Sequence, residues 1–300
     1  MLRAPSAEDV DRLIAAGPVA MVTLAPELPG AAEAVRRFVE AGVLVAVGHS
    51  DATYDQALGA FAAGARVVTH LHNAHRPLHH REPGPAQAAI DTPGVVLELI
   101  ADGVHVHPAV VGDTLRTRAG RVALVTDAMA AAGAGDGDYR LGPLTAVVRD
   151  GVARIGGADG PIAGSTLTLD RAVRLAVARG IPLAEAVAAA SRVPADLLGR
   201  ADLGRIAPGA RADLVVLDAD LAVARVMRAR TRPGPDIRCP ALGRRCRQEG
   251  PARLRCSRSR SSRRGTRRAA PRSRRGWRGR AAGCARARRR RCRACRTAPP

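Results

Sequence analysis

The feature that most constrains the fold is a strand, helix, strand pattern within residues 43–74. An apolar run at 43–47 leads into Gly48-His49, an alanine-rich amphipathic stretch follows, and Val67-Val68 then leads into Thr69-His70. Short apolar runs separated by a helix are typical of parallel strands in an α/β fold. Because the carboxyl ends of neighbouring parallel strands meet at one edge of the sheet, we expect His49 and His70 to converge there.

Two histidines placed in this way are a suitable pair of ligands for a divalent metal. A single histidine near a strand end is more often a hydrogen-bonded structural residue, but its repetition in two successive strands favours a shared role. All 8 histidines of the chain lie between residues 49 and 107, so the candidate chemistry is concentrated there. Five of them are interpreted as loop or supporting residues: His72, His75, His79, His80 and His107.

Three further apolar runs have the length of buried strands, at residues 19–24, 95–100 and 122–126, and the last of them ends at Asp127. Five strands that alternate with helices predict an α/β fold with a parallel sheet or barrel. Helices are predicted over residues 7–16, 30–40, 54–63, 108–117, 167–178 and 183–190.

The region after Asp127 has a different pattern. The glycine-rich stretch up to Asp138 is predicted to be a loop, and Asp150-Gly151 predicts a tight hairpin between apolar runs at 144–148 and 152–155. Another strand is predicted at 212–217.

The composition changes abruptly near residue 228. Residues 1–227 hold 21 Arg and 25 Asp plus Glu, a net charge of −4, whereas residues 228–300 hold 27 Arg and 2 acidic residues, a net charge of +25. All 6 cysteines and Trp277 also lie in the second part. We predict that 228–300 is a disordered tail, because it has too little apolar periodicity to offset its ordering entropy. Its arginine-rich, lysine-free composition also fits out-of-frame reading of a GC-rich coding region.

The first part is typical of a soluble cytoplasmic enzyme, because it is slightly acidic, rich in Val, Leu and Ala, and free of cysteine. It has no signal peptide and no apolar run long enough to cross a membrane.

Seven motifs follow one another along residues 18–227: Thr23-Leu24-Ala25-Pro26-Glu27, Gly48-His49-Ser50, Thr69-His70-Leu71-His72-Asn73-Ala74, Arg81-Glu82-Pro83-Gly84, Ile100-Ala101-Asp102-Gly103-Val104-His105-Val106-His107, Val125-Thr126-Asp127-Ala128 and Ala163-Gly164-Ser165-Thr166-Leu167. In this order and spacing the chain resembles N-acetylglucosamine-6-phosphate deacetylases of the amidohydrolase superfamily. The resemblance implies a metal-dependent (β/α)8 TIM-type barrel with a small β-sandwich, and a homodimer for the complete protein.

The resemblance implies hydrolysis of the acetamide of N-acetylglucosamine 6-phosphate to glucosamine 6-phosphate and acetate. It assigns His49 and His70 to a divalent metal, zinc or iron, and Asp127 to catalysis as the acid/base. The positions implied to bind the phosphosugar are Asn73, Ala74, Arg81, His105, Ile162, Ala163 and Gly164.

These roles agree with the chemistry of the residues. An amide is a poor electrophile, so a metal that acidifies water and polarises the carbonyl is useful. Asp127 can take the proton of the water and return it to the leaving nitrogen. Arg81 offers a planar fork for a phosphate dianion, although Arg-Glu-Pro-Gly alone is equally typical of a surface arginine before a turn. His105 is suited to donate a hydrogen bond to the substrate carbonyl oxygen.

The sequence departs from the family pattern before the first motif, at position 75 and after residue 227, where the arginine-rich tail replaces a last sandwich strand. The family's His-Leu-Glu-Gly-Pro motif, whose glutamate is a metal ligand, is absent before the first match, and Glu27 is interpreted as loop support rather than as its substitute. Position 75 is histidine where the family usually has methionine. We therefore predict an incomplete barrel of about the last five strands over 1–207, a sandwich remnant over 208–227 and the tail. Little or no deacetylation by the chain as it stands is expected.

Two other interpretations remain open. One is another hydrolase of the amidohydrolase superfamily, although Arg81 favours a phosphosugar. The other is a fragment without activity whose basic tail binds nucleic acid or other polyanions nonspecifically. Cys292 and Cys295 form a C-x-x-C pair, but no second pair at zinc-ribbon spacing accompanies it.

Removal of residues 228–300 is expected to abolish retention on heparin at low salt, because the positive charge lies in that segment and the remainder is acidic. The melting temperature of the remaining chain is expected to stay unchanged. Heparin chromatography and thermal melts of the full-length and truncated chains measure these two properties. A melting temperature lowered by several degrees on truncation would show that the tail packs on the core.

Overall fold

The computed structural model describes residues 3–157 and 159–228, together with the backbone of three short strands, Ile237–Cys239, Arg244–Gln248 and Leu254–Cys256. The chain forms two compact units, Met1–Arg232 and Pro233–Pro300. The three short strands pair with one another as an antiparallel sheet. The other residues of 229–300, for which disorder is predicted, lie outside the described part of the chain. Cys292 and Cys295 are among them.

A five-stranded parallel sheet forms the centre of the first unit, as the alternating pattern predicts. Its strands pair in sequential order, each with the next along the chain. They are β1 (Met21–Leu24), β2 (Leu44–Val47), β3 (Val67–Val68), β4 (Val96–Ile100) and β5 (Val122–Val125). Sequential parallel pairing places all five carboxyl ends at the same edge.

Eight helices connect and cover the described strands. They are α1 (Ala7–Ala15), α2 (Ala31–Glu40), α3 (Tyr54–Ala62), α4 (Gly84–Asp91), α5 (Pro108–Thr117), α6 (Leu169–Ala178), α7 (Leu183–Ala190) and α8 (Arg192–Leu197). All six predicted helices are confirmed within a few residues of the predicted bounds. In the part of the chain that the structure describes, no helix is long and apolar enough to cross a membrane.

Local sequence explains where several helices begin. Ser6 caps the start of α1 and Thr53 caps the start of α3. The side chain three residues later, Asp9 in α1 and Gln56 in α3, accepts a hydrogen bond from the backbone N–H of the capping residue. The prediction missed two helices, α4 and the short α8. It missed α4 because Arg-Glu-Pro-Gly-Pro is typical of a turn. Proline in the first turn of a helix is nevertheless favourable, since its missing N–H would have no partner there.

The main core lies between the sheet and the helices. Leu97 and Leu99 of β4 and Val45 and Val47 of β2 are buried there, together with Phe38 from α2. Because alternate strand residues point to opposite faces, this is the helix-covered side of the sheet.

A small antiparallel sheet follows β5, with β6 (Gly137–Leu141), β7 (Leu144–Arg149) and β8 (Val152–Ile155) in sequential order. The predicted hairpin at Asp150-Gly151 is confirmed, and both residues have positive φ, 51° and 74°. The predicted loop extended to Asp138, but β6 already begins at Gly137, because pairing with β7 overrides the low strand propensity of glycine. This sheet has its own buried cluster: Met129, Ala131, Ala146, Val148 and Ala153.

A two-stranded antiparallel ribbon ends the described first unit, formed by β9 (Leu214–Leu217) and β10 (Val223–Met227). Its valines remain largely exposed, with Val215 at 57% and Val226 at 59%.

Replacement of Leu99 by alanine is expected to lower the free energy of unfolding by about 2–5 kcal/mol, because the fully buried side chain leaves a cavity in the main core. Leu13→Ala is the matched control, since Leu13 is 51% exposed and its loss is expected to cost no more than about 0.5 kcal/mol. Urea titration of both variants measures the difference, and equal costs would place Leu99 outside the core.

Candidate functional site

His49 and His70 follow β2 and β3 directly and turn towards each other. The Nε2 atoms of the two rings lie 3.0 Å apart, and the rings meet edge to face with centroids 4.7 Å apart. Both backbones are left-handed, with φ of 50° and 31°. Such φ values are uncommon for non-glycine residues and cluster at functional sites, where the surrounding structure holds them in place.

The tautomer of His70 follows from its contacts. Its Nδ1 donates to the Asn73 carbonyl at 3.0 Å, which leaves a lone pair on Nε2. Burial, and next the neighbouring His49 ring, lower the pKa of His70, while the Asp127 carboxylate opposes this effect. The Nε2 lone pair of His70 therefore accepts a hydrogen bond from Nε2 of His49, and a divalent cation that displaces this proton would find two imidazole nitrogens facing each other.

Gly48 allows the strands to approach this closely. A Cβ at Gly48 would lie 2.7 Å from Cβ of Thr69 and 2.9 Å from Cγ2 of Thr23. The threonine hydroxyls are 3.2 Å apart and form a hydrogen bond beneath the histidines. The residue before His49 is therefore glycine because of crowding between three strands.

Asp127 follows β5 and also has a positive φ, 48°. Its carbonyl accepts from the Ser165 amide at 2.7 Å, and the Ser165 hydroxyl donates to the Thr126 carbonyl. The Ala128–Ser165 pairing is parallel, so the segment around Ser165 adds to the free edge of β5. This pairing brings residues 162–164, far away in the sequence, next to the histidines.

These elements enclose a cavity of about 530 Å³ at the carboxyl edge of the sheet. Nine of the ten predicted site residues line it: His49, His70, Asn73, Ala74, His105, Asp127, Ile162, Ala163 and Gly164. Sequence reasoning missed its other lining residues, which are Ala128, Met129, Leu141 and Ile155. Leu141 and Ile155 end β6 and β8, and the hairpin pattern of β7 and β8 gives their strands but not where the small sheet packs.

Arg81 is the predicted residue that does not line this cavity. Its side chain is exposed and its guanidinium donates to His80 Nε2 at 2.7 Å. The nearby Arg76 instead binds the Asp51 carboxylate through two nitrogens, both at 3.1 Å. The role of Arg81 in phosphate binding stays a prediction.

Glu27, the carboxylate that follows β1, makes its hydrogen bonds to a neighbouring loop. Glu27 accepts from the Ser50 hydroxyl at 2.7 Å and from the Asp51 amide at 2.8 Å, which agrees with its interpretation as loop support. Within residues 3–157 and 159–228, no three histidine, cysteine or acidic side chains are grouped so that they could hold one metal ion. The described donor set therefore fits a cation with two imidazoles.

A half-buried carboxyl, Glu98 of β4, lies next to the backbone of His70. Burial raises the pKa of Glu98 on β4, and so does the Asp127 charge, whereas a hydrogen bond from the His70 amide opposes both. The Glu98 carbonyl also accepts from the Leu71 amide at 2.7 Å. Glu98 thus supports the turn that presents His70, and no motif in the sequence indicated this role.

His75 is held as a neutral ring. Its Nε2 donates to the Thr69 carbonyl at 2.8 Å, and its buried Nδ1 has no hydrogen-bond partner. Burial lowers the pKa of His75 to about 4.

A parallel sheet with a pair of histidines at its carboxyl edge is typical of metal-dependent hydrolases with an α/β fold. The model of the amidohydrolase family matches residues 5–237, and the chain belongs to this family.

Within this family, the chain is similar to several proteins that are named as deacetylases of N-acetylated sugar phosphates. A mutant of N-acetyl-D-glucosamine-6-phosphate deacetylase from Mycobacterium smegmatis, in complex with N-acetyl-D-glucosamine-6-phosphate, is 52% identical with a TM-score of 0.73, over 76% of this chain and 61% of that chain. The N-acetylglucosamine-6-phosphate deacetylase of Thermotoga maritima is 38% identical with a TM-score of 0.70, over 76% and 62%. The N-acetylgalactosamine-6-phosphate deacetylase of Escherichia coli O157:H7 is 44% identical over 73% of this chain and 58% of the relative. The chain thus spans about half the length of the curated relatives it matches.

Zinc content after gel filtration is expected to be below one ion per chain, because two imidazoles are fewer than the three or more protein ligands of ordinary zinc sites. His70→Ala is expected to remove the remaining zinc, whereas the exposed His107→Ala is expected to leave it unchanged. Elemental analysis of the three proteins provides the measurement. Stoichiometric zinc that resists chelators would show that further groups complete the site.

Stability is expected to fall as the pH drops from about 6.5 towards 4, because unfolded His75 binds a proton in this range and folded His75 does not. The full loss in the free energy of unfolding that this pKa shift causes is on the order of 3 kcal/mol. None of it is lost above pH 6.5, and all of it is lost below pH 4. Urea midpoints between pH 7 and 5 test this, with His75→Met as the comparison. An equally steep loss in that variant would assign the pH dependence to other groups.

Proposed function

We propose that the chain carries the carboxyl-terminal part of the active site of an N-acetylglucosamine-6-phosphate deacetylase. The observation that carries the proposal is one cavity in which His49, His70 and Asp127 meet from the carboxyl ends of β2, β3 and β5. The names of the relatives support the same reaction.

We further infer that β1–β5 are strands of an incomplete (β/α)8 barrel, and that the β9–β10 ribbon is a remnant of a small sandwich. The sequential parallel order of the five strands supports the barrel, as do the structures of the relatives, of which the chain covers 61% and 62%. The largely exposed valines of the ribbon fit a sheet that packs against further strands.

His49 and His70 would hold the divalent metal, most suitably zinc, with iron as the alternative. When bound, the metal supplies Lewis acidity that polarises the amide carbonyl and acidifies water. The protein's part is to turn both Nε2 atoms towards one point, and the Nδ1 contact of His70 with the Asn73 carbonyl keeps the Nε2 lone pair of that ring in place.

Asp127 is assigned the proton transfers. Its side chain lines the cavity beside His70 and has no hydrogen-bond partner among the described residues, so it is available to a water and to the leaving nitrogen. Its left-handed backbone, held by the Ser165 amide, aims the carboxylate from the end of β5 into the site.

The phosphosugar is assigned to the rest of the cavity. Asn73, Ala74 and His105 form one side and residues 162–164 another, while Leu141 and Ile155 add apolar surface. Arg81 is proposed to reach the phosphate after a rearrangement of its exposed side chain. A cytoplasmic location, a homodimer in the complete protein and nonspecific polyanion binding by the tail are parts of the same proposal.

N-acetylgalactosamine 6-phosphate is the second candidate substrate. A relative named for that substrate is 44% identical to this chain. The two sugars differ only in the configuration of one hydroxyl, so the choice between them depends on how the cavity contacts that hydroxyl.

The reaction is tested with a fusion in which the matching amino-terminal segment of the Mycobacterium smegmatis enzyme precedes this chain. The fusion, loaded with zinc, is expected to release acetate from N-acetylglucosamine 6-phosphate. Asp127→Asn is expected to lower kcat by about 10²–10⁴-fold, because the proton acceptor is lost. The 300-residue chain alone is expected to release little or no acetate.

Asp113→Asn is the matched control, since Asp113 is exposed on α5 and lies away from the cavity, and it is expected to leave kcat unchanged. A folded, zinc-loaded fusion that deacetylates neither sugar phosphate would refute the proposed reaction. Full activity of Asp127→Asn would refute the assignment of the proton transfers.

A further inference from the structure

A buried carboxylate and imidazole pair lies at the end of β4, next to the cavity. His105 Nδ1 is 2.7 Å from Asp102 Oδ2, and the two side chains are only 7% and 10% exposed. In each of the other ion pairs found among the described residues, at least one side chain is 34% exposed or more. The pair is thus shielded from solvent in a way that ordinary surface pairs are not, and its hydrogen bond is correspondingly stronger.

The loop holds the carboxylate in one orientation. Asp102 Oδ1 accepts from the amides of Val104 and His105, each at 2.8 Å, so Oδ2 is left for the imidazole. Gly103, with φ of 79°, lets the chain turn around the carboxylate. Burial acts to raise the pKa of Asp102, but the hydrogen bonds from His105 and Val104 outweigh it and the pKa lies below its usual value. An ionised carboxylate only accepts hydrogen bonds, so the ring must donate through Nδ1.

We propose that Asp102 is a positioning residue that keeps the proton of His105 on Nδ1, so that Nε2 of the neutral ring accepts a hydrogen bond from the ligand in the cavity. This differs from the donor role that the sequence led us to expect for His105, which Nε2 could play only in a protonated ring. His105 lines that cavity together with His49 and Asp127, and its Nε2 has no hydrogen-bond partner among the described residues. The inference rests on the proposed function only for the identity of the ligand, an N-acetylated sugar phosphate. The orientation and tautomer of the ring are properties of the protein itself.

The test is the tautomer of His105 in the metal-free, ¹⁵N-labelled full chain, read from long-range ¹H–¹⁵N NMR correlations of the imidazole rings. His105→Gln identifies the signals, because it removes one set of the 8 histidines. The expected result is a protonated Nδ1 and an unprotonated Nε2 when the ring is neutral. A proton on Nε2 in the unaltered chain would overturn the proposal without any further variant.

Asp102→Asn inverts the contact with little change of shape. The asparagine oxygen still accepts from the two backbone amides, but its NH₂ group donates to Nδ1, so the proton is expected to move to Nε2. The exposed Asp113→Asn is expected to leave the His105 signals unchanged. An unchanged tautomer in a folded Asp102→Asn chain would overturn the proposal. The measurement needs no turnover, so failure of the proposed deacetylation would leave its outcome standing.

Discussion

The site depends on left-handed backbone at the ends of the parallel strands. His49, His70 and Asp127 all have positive φ, and each such residue costs on the order of 1–3 kcal/mol unless its surroundings hold it. The surroundings do so through backbone hydrogen bonds just beyond the strands, from the Ser50 amide to the Ala74 carbonyl and from the Leu71 amide to the Glu98 carbonyl. The parallel ladder aligns the strand ends, and the turns after them point three side chains at one volume.

Electrostatics in this volume favour neutral imidazoles. Burial lowers the pKa values of His70 and His72, and that of His75 to about 4, so these rings carry lone pairs rather than charge at neutral pH. Asp127 provides a negative group beside them and Glu98 lies below with a raised pKa. Such an arrangement favours binding of a cation, because the neutral imidazoles do not repel it and the Asp127 carboxylate attracts it.

Much of this site could be predicted from the sequence, because each strand end carries its functional residue directly after an apolar run. The pattern predicts where His49, His70 and Asp127 lie along the chain, and parallel pairing then brings them together. It could not predict the cavity walls, since Leu141 and Ile155 belong to strands whose packing depends on tertiary contacts. The same holds for Arg81, whose exposed side chain binds a neighbouring histidine, and for Glu98, which resembles any polar residue in a strand.

The cavity is bordered by two hydrophobic clusters of very different size. The histidine side rests on the main core, whereas Leu141 and Ile155 come from the small sheet with its own cluster around Met129 and Val148. Local stability follows the number of buried apolar contacts, so the two sides of the cavity have different opening free energies. The small sheet, with the smaller cluster, is therefore the side of the cavity that is expected to open at the lower free-energy cost.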